Sequence, residues 1–311
     1  MSSCILSAIA CLGCFMFTSC FTGIESTKKV SLSREDKKNL EPTQEEIYFQ
    51  GVAPQPLSEW KKGKRFIAAD NKTLLIFNQH GLPANPDSAH LGGTVLYFDG
   101  VDQKLEPDGS ISASIIFHDS NSYYRYDSGK TFSEAPSLVM SDKIPMMIDL
   151  DMVDEAKELL TGNSYWIRTP LWYDKEGNRI NGKKFVPVTI SEVTSGTIAF
   201  PLKIKFKDSA DNEAWIFMNY GNSGKESRSF SNLFFLTDIR KRYPSITDEV
   251  WDTICNGSVI LGMTKEECKL SLGTPVEVNR GHDYSQTLDL WQYPNGTALW
   301  FEDGLLTRFR R

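Results

Sequence analysis

The chain has 311 residues, with 34 Lys and Arg against 40 Asp and Glu and a net charge of −6. That length supports two or three modules, each burying its own core. A mildly acidic, well-mixed charge gives no basic stripe for nucleic acid, so that class of partner is excluded.

The first segment is almost wholly apolar. Ile5 to Phe17 reads ILSAIACLGCFMF, long enough for a signal-peptide core and too short to span a bilayer. Two small residues, Thr18 and Ser19, then precede Cys20, and the chain turns polar. Residues 1–20 resemble a bacterial lipoprotein signal. The resemblance implies that Cys20 carries a diacylglyceryl group and becomes the mature N-terminus. The plainer alternative is an ordinary secretory signal cleaved nearby. Beyond it, no stretch approaches the ~20 apolar residues of a transmembrane helix, so attachment to a membrane would rest on the lipid.

Residues 21–55 read as a flexible tether, polar and without apolar period, closed by Pro54 and Pro56. A tether of that kind would hold the folded part on the order of 30 Å from the membrane.

Residues 57–148 and 149–221 read as two β-rich copies of one module. Gly93 begins GTVLYFDGV and Gly182 begins GKKFVPVTI, an offset of 89 that also carries Ile115–Asp119 onto Ile204–Asp208. Upstream, Gly63–Ile67 parallels Gly162–Trp166, with a longer loop in the first copy absorbing the difference. Four or five short strands per copy suit a small SH3-like or OB-like barrel. Between the copies, Val153–Leu160 forms an amphipathic helix capped by Asp149 or Asp151. Residues 222–245 are expected to be a linker.

Residues 246–311 carry the clearest pattern. Thr247 caps a helix ended by Asn256-Gly257, and Thr264 with Glu267 forms a capping box on a second helix ended by Leu272-Gly273. Strands at Thr287–Tyr293, Thr297–Glu302 and Leu305–Arg310 follow, divided by Asn-Gly and Asp-Gly turns. The expected module is α+β, two helices and a three-stranded antiparallel meander, which makes the whole chain mainly β plus α+β.

Here a family resemblance enters. GMTKEECKLSLGTP and LDLWQYPNGTALWFEDGLL look like the outer-membrane lipoprotein family SmpA/OmlA, called BamE in the β-barrel assembly machinery. The matching positions are Gly262, Thr264, Leu272, Gly273, Pro275, Trp291, Tyr293, Phe301, Gly304 and Leu306. They cover about a fifth of the chain, and the same unit recurs in inhibitor-like (BLIP-like) binding modules, so the resemblance speaks to fold more than function.

Catalytic patterns are wanting. His80, His90, His118 and His282 match no zinc spacing; Asp149, Asp151 and Asp154 lack the frame of a calcium loop; no nucleophile elbow or phosphate loop occurs. No metal, cofactor or enzyme activity is expected. Once the signal is removed, Cys255 and Cys268 remain, as a disulfide or as two buried thiols on neighbouring helices. Trp291, Tyr293 and Trp300 are the candidate interaction surface, the alternative being that these rings are core and Leu288, Leu290, Leu299 and Phe301 the outer face. The expectation is a non-enzymatic, lipid-anchored scaffold or protein-binding component at the outer membrane of a Gram-negative envelope, facing the periplasm. The alternative is a cell-wall glycan- or peptide-binding protein that uses the SH3-like repeats.

Overall fold

Short runs of alternating apolar residues, broken by Gly and Asp turns, assemble into three antiparallel sheets in a computed structural model that describes residues 41–77, 90–137, 145–221, 227–283 and 286–311. Cys20, the signal and most of the tether lie outside the described residues, as do His80 and residues 222–226 of the linker. The described chain is mainly β with few helices.

The first sheet contains β1 (Arg65–Ala68), β2 (Val95–Leu105), β3 (Ile111–His118), β4 (Tyr123–Thr131) and β5 (Met147–Asp149), in the order β4-β3-β2-β1-β5. The second contains β6 (Ser164–Ile167), β7 (Leu171–Tyr173), β8 (Arg179–Asn181), β9 (Pro187–Ser195), β10 (Leu202–Asp208), β11 (Glu213–Met218) and β12 (Phe234–Phe235). Its order is β12-β6-β9-β10-β11-β7-β8.

Five strands of the second sheet repeat the order of the first, with the β7–β8 hairpin added at the far edge. Equivalent details recur. The N–H of Gly63 bonds to Phe98 O and that of Gly162 to Ile190 O, both at 2.8 Å, and both glycines have positive φ. Phe117 and Phe206 are each fully buried mid-sheet. Asp119 Oδ1 accepts two turn N–H groups, from Asn121 and Ser122, and Asp208 Oδ1 accepts those of Ala210 and Asn212. The β2 and β9 pairing differs from the sequence alignment: Thr189, not Val186, faces Lys207 as Tyr97 faces His118. Both copies bulge along this pair of strands, at Phe98/Gly100 and at Lys205/Phe206. Gly182 is required for a different reason: a Cβ there would fall 2.0 Å from the Trp172 ring.

Parts of the segments read as tether and linker instead belong to the second core. Helix α1 (Gln44–Phe49) carries a Thr43–Glu46 capping box and buries Phe49 completely. Tyr48 Oη is 2.8 Å from Tyr165 Oη, and Phe49 stacks on Phe230 at 5.3 Å. The tether therefore ends before residue 44, because Tyr48, Phe49 and Val52 supply apolar surface that sheet and helix cover. The linker is corrected likewise. Helix α3 (Phe230–Leu233) and β12 place Phe230, Leu233 and Phe234 in the same core.

Helix α2 (Leu150–Leu160) covers this core with Met152, Val153, Ala156 and Leu160. Asp149 is its N-cap, accepting from the N–H groups of Asp151 and Met152. The neighbouring carboxylates hold the first sheet: Arg65 reaches Asp151 and Asp154, each at 2.7 Å, so these three aspartates are spent on capping and pairing.

The third sheet is a meander of β13 (Glu277–Asp283), β14 (Gln286–Gln292), β15 (Ala298–Glu302) and β16 (Leu305–Arg310). It has four strands where the sequence reading gave three; the polar run Glu277–Asp283 has no apolar alternation to betray it. Helices α4 (Asp248–Cys255) and α5 (Lys265–Leu272) pack as neighbours, capped by Thr247 and Thr264. Lys184 of the second module joins this unit at both helix ends. Its N–H bonds to Cys255 O at 2.9 Å, and its ammonium donates to the carbonyls of Leu270 and Ser271. A cation at a helix C-terminus meets the negative end of the helix dipole. Phe185 then stacks on Trp251 at 5.7 Å.

Candidate functional site

The three candidate aromatics of the last sheet do not share a face. The three-residue turn Pro294-Asn295-Gly296 closes with Tyr293 N–H on Thr297 O, and this sets Trp291 opposite Leu299 and Leu290 opposite Trp300. Directly paired residues lie on one face. Trp291, Tyr293, Leu299 and Phe301 therefore form the buried side against α4 and α5. Trp291 packs on Phe301 at 4.8 Å. Tyr293 donates its hydroxyl to Gly273 O, and burial pushes that hydroxyl up to about 12. Trp291 and Tyr293 are core residues, a correction to their assignment as an interaction surface. Trp300 alone of the three is half-exposed on the outward side.

Neither sequence alternative described the outer face fully. Leu299 and Phe301 were paired there with Leu288 and Leu290, but only the latter two face outward. Beside them, Arg308 sits opposite Trp300 with its guanidinium 4.0 Å from the indole centroid. Arg308 was not singled out in the sequence, since its role depends on a bulge in β16: Trp300 pairs with Arg308 and Phe301 with Leu306, leaving Thr307 as the extra residue. The result is an open depression of about 670 Å³ lined by Leu288, Leu290, Trp300, Glu302, Arg308 and Asn279 among others. Gly281 on edge strand β13 lies opposite Leu288 and adds no side chain to fill it.

Underneath, Lys265 pairs with the buried Asp289 carboxylate, and Arg280 stands opposite Asp289 on the neighbouring strand. Arg308 and Arg310 on β16 are exposed. An apolar floor with Arg308 and Glu302 at its rim can receive a partner that offers apolar side chains and sets a carboxylate against Arg308. Trp and Arg are the residue types that dominate binding energy at protein interfaces.

Cys255 and Cys268 are both buried and both free. The disulfide is thus corrected in favour of two thiols on the neighbouring helices α4 and α5. Cys268 is wholly enclosed by the core. Burial pushes the Cys255 thiol up to about 11 and that of Cys268 to about 12, which disfavours the nucleophilic thiolate. Among the described residues, no group of three His, Cys, Asp or Glu side chains could hold a metal ion. His90 lies 3.4 Å from the Asn71 amide, and His118 sits in a row of tyrosines on the first sheet.

No protein-family model matches the chain, and no curated protein or solved structure matches it.

Proposed function

We propose that this chain is a lipid-anchored envelope protein whose work is binding, and that the outer face of its C-terminal sheet docks a partner protein. On this reading Cys20 is the lipidated residue, the protein faces the periplasm from the outer membrane, and residues 246–311 act as a BamE-like or BLIP-like module. The two preceding sheets are the SH3-like or OB-like copies, serving as spacer and frame.

The observation that carries the reading is the Trp300–Arg308 pair. Its two side chains are held 4.0 Å apart on a sheet face whose opposite side is already filled by core. Leu288 and Leu290 extend the apolar floor, and Arg308 and Arg310 favour an acidic, apolar segment.

The test is co-purification of the full-length lipidated protein from native membranes after brief crosslinking in mild detergent. A discrete envelope partner should be recovered with wild type and lost with Trp300→Ala plus Arg308→Ala. Equal recovery with the double variant removes the surface assignment. Recovery of the protein alone removes the scaffold reading.

A further inference from the structure

The first sheet carries a second surface of different chemistry. Arg65, Tyr97, His118 and Tyr123 are directly paired across β1, β2, β3 and β4, so all four stand on the side away from the core formed by Phe66, Leu96 and Phe117. The His118 ring lies 5.5 Å from Tyr97, at 26° to it, and 5.5 Å from Tyr123 at 42°. Tyr97 is 37% and Tyr123 62% exposed. The His118 ring is fixed by its Nδ1–H, which donates to Asp119 O at 3.0 Å. A carbonyl can only accept, so Nδ1 carries the proton in this bond and, in the neutral ring, Nε2 is the acceptor.

Next to this row, the β2 bulge at Asp99-Gly100 opens a depression of about 590 Å³. Ile116 and Gly100 form its floor, with Tyr123, Asp99, Asp102 and Arg125 around it. A Cβ on Gly100 would meet only open space, so the hollow is not closed from that side. The polar groups are held in place: Lys62 bonds to Asp99 at 2.6 Å and Arg125 to Asp102 at 2.9 Å. Each carboxylate keeps acceptor positions beyond its single ion pair, and a carboxylate can accept from two adjacent hydroxyls.

We propose that this row and hollow form a saccharide-binding site for a neutral pyranose unit of a polysaccharide. A pyranose has an apolar C–H face that lies on an aromatic ring and an equator of hydroxyls that seek carboxylate and guanidinium partners. Tyr123 belongs to both the row and the hollow and supplies the stacking surface. Asp99 and Asp102 accept hydrogen bonds from sugar hydroxyls; Arg125 donates to a ring or hydroxyl oxygen. Uronic acids and phosphorylated sugars are disfavoured, because two carboxylates line the hollow and its cations already have carboxylate partners. The site lies on a different sheet from the Trp300 face and stands independently of it.

The experiment is affinity electrophoresis of detergent-solubilised full-length protein in native gels containing glycol chitin, soluble starch or mannan. Binding curves are then measured with the matching neutral tetrasaccharides. At least one neutral polymer should retard wild type. Tyr123→Ala should weaken that binding roughly tenfold, and Asp102→Asn should weaken it as well. Both are exposed positions, and near-UV circular dichroism checks that the fold persists. Trp300→Ala should leave retardation unchanged, which separates this site from the protein-docking face. Absence of retardation by all three polymers, or retardation that Tyr123→Ala does not reduce, overturns the proposal.

Discussion

The ammonium of Lys64 lies 2.8 Å from Oδ2 of Asp149, and both side chains are almost wholly out of solvent. The same aspartate caps α2 through its other oxygen, and its carbonyl receives the hydroxyl of Tyr220 at 2.8 Å. One residue thus ties the first sheet, the helix and the end of β11 together. Burial pushes the Asp149 carboxyl above its ordinary range despite the neighbouring ammonium. Removing one partner of such a pair leaves a buried charge uncompensated. Lys64→Met should therefore cost about 3–5 kcal/mol in urea unfolding. Lys64→Met with Asp149→Asn should recover part of that loss, since Asn keeps the cap without the charge. A single variant no less stable than wild type would refute the pair's role.

How much of this was legible depended on whether the signal was local. The Thr264–Glu267 capping box, the Thr247 cap and the Asn-Gly hairpin each act over a few residues, and each stands where the sequence put it. Tyr48 and Phe49 look solvated in sequence because their neighbours are charged; only the distant Tyr165 and Phe230 make them core. Trp300 was separated from Trp291 by cross-strand register, which period two within a strand does not determine. The row Tyr97–His118–Tyr123 needed three strands in register and left no local trace.

Lys184 gives a pH dependence with a definite sign. Burial pushes its ammonium down to about 8, against 10.5 when solvated. Between those values the unfolded chain holds the proton and the folded chain does not, so stability from this residue rises with pH. Below pH 8 the charged form is buried at a cost of roughly 3 kcal/mol. The stability of wild type minus that of Lys184→Met should therefore climb from pH 8 to 10.5, read by urea unfolding at each pH. A flat or falling difference would show that the ammonium is not desolvated at the ends of α4 and α5.

Cys255 and Cys268 should behave as two inert thiols. With folded pKa values near 11 and 12, neither offers thiolate at pH 8, and neither is solvent-facing. A chromogenic disulfide reagent at pH 8 should titrate neither in the folded protein and both after denaturation. Reductant should leave the unfolding midpoint unchanged. A midpoint that falls on reduction would mean that the two sulfurs are bonded.

The two faces of the last sheet separate by stability. Trp291 is buried on Phe301, and truncation there opens a large cavity, so Trp291→Ala should cost about 3–5 kcal/mol. Trp300 is half-exposed, and Trp300→Ala should cost less than about 1 kcal/mol while abolishing partner recovery. Trp291→Phe tests the buried side more sharply. The Trp291 indole N–H is buried without a hydrogen-bond partner, a burden of about 1–3 kcal/mol. Phenylalanine removes that donor and keeps a ring against Phe301, at the expense of some volume. The two changes oppose each other, so the net effect in urea unfolding should be within about 1 kcal/mol of zero, far from the alanine value. A loss as large as that of alanine would mean the indole nitrogen makes a bond that phenylalanine cannot replace.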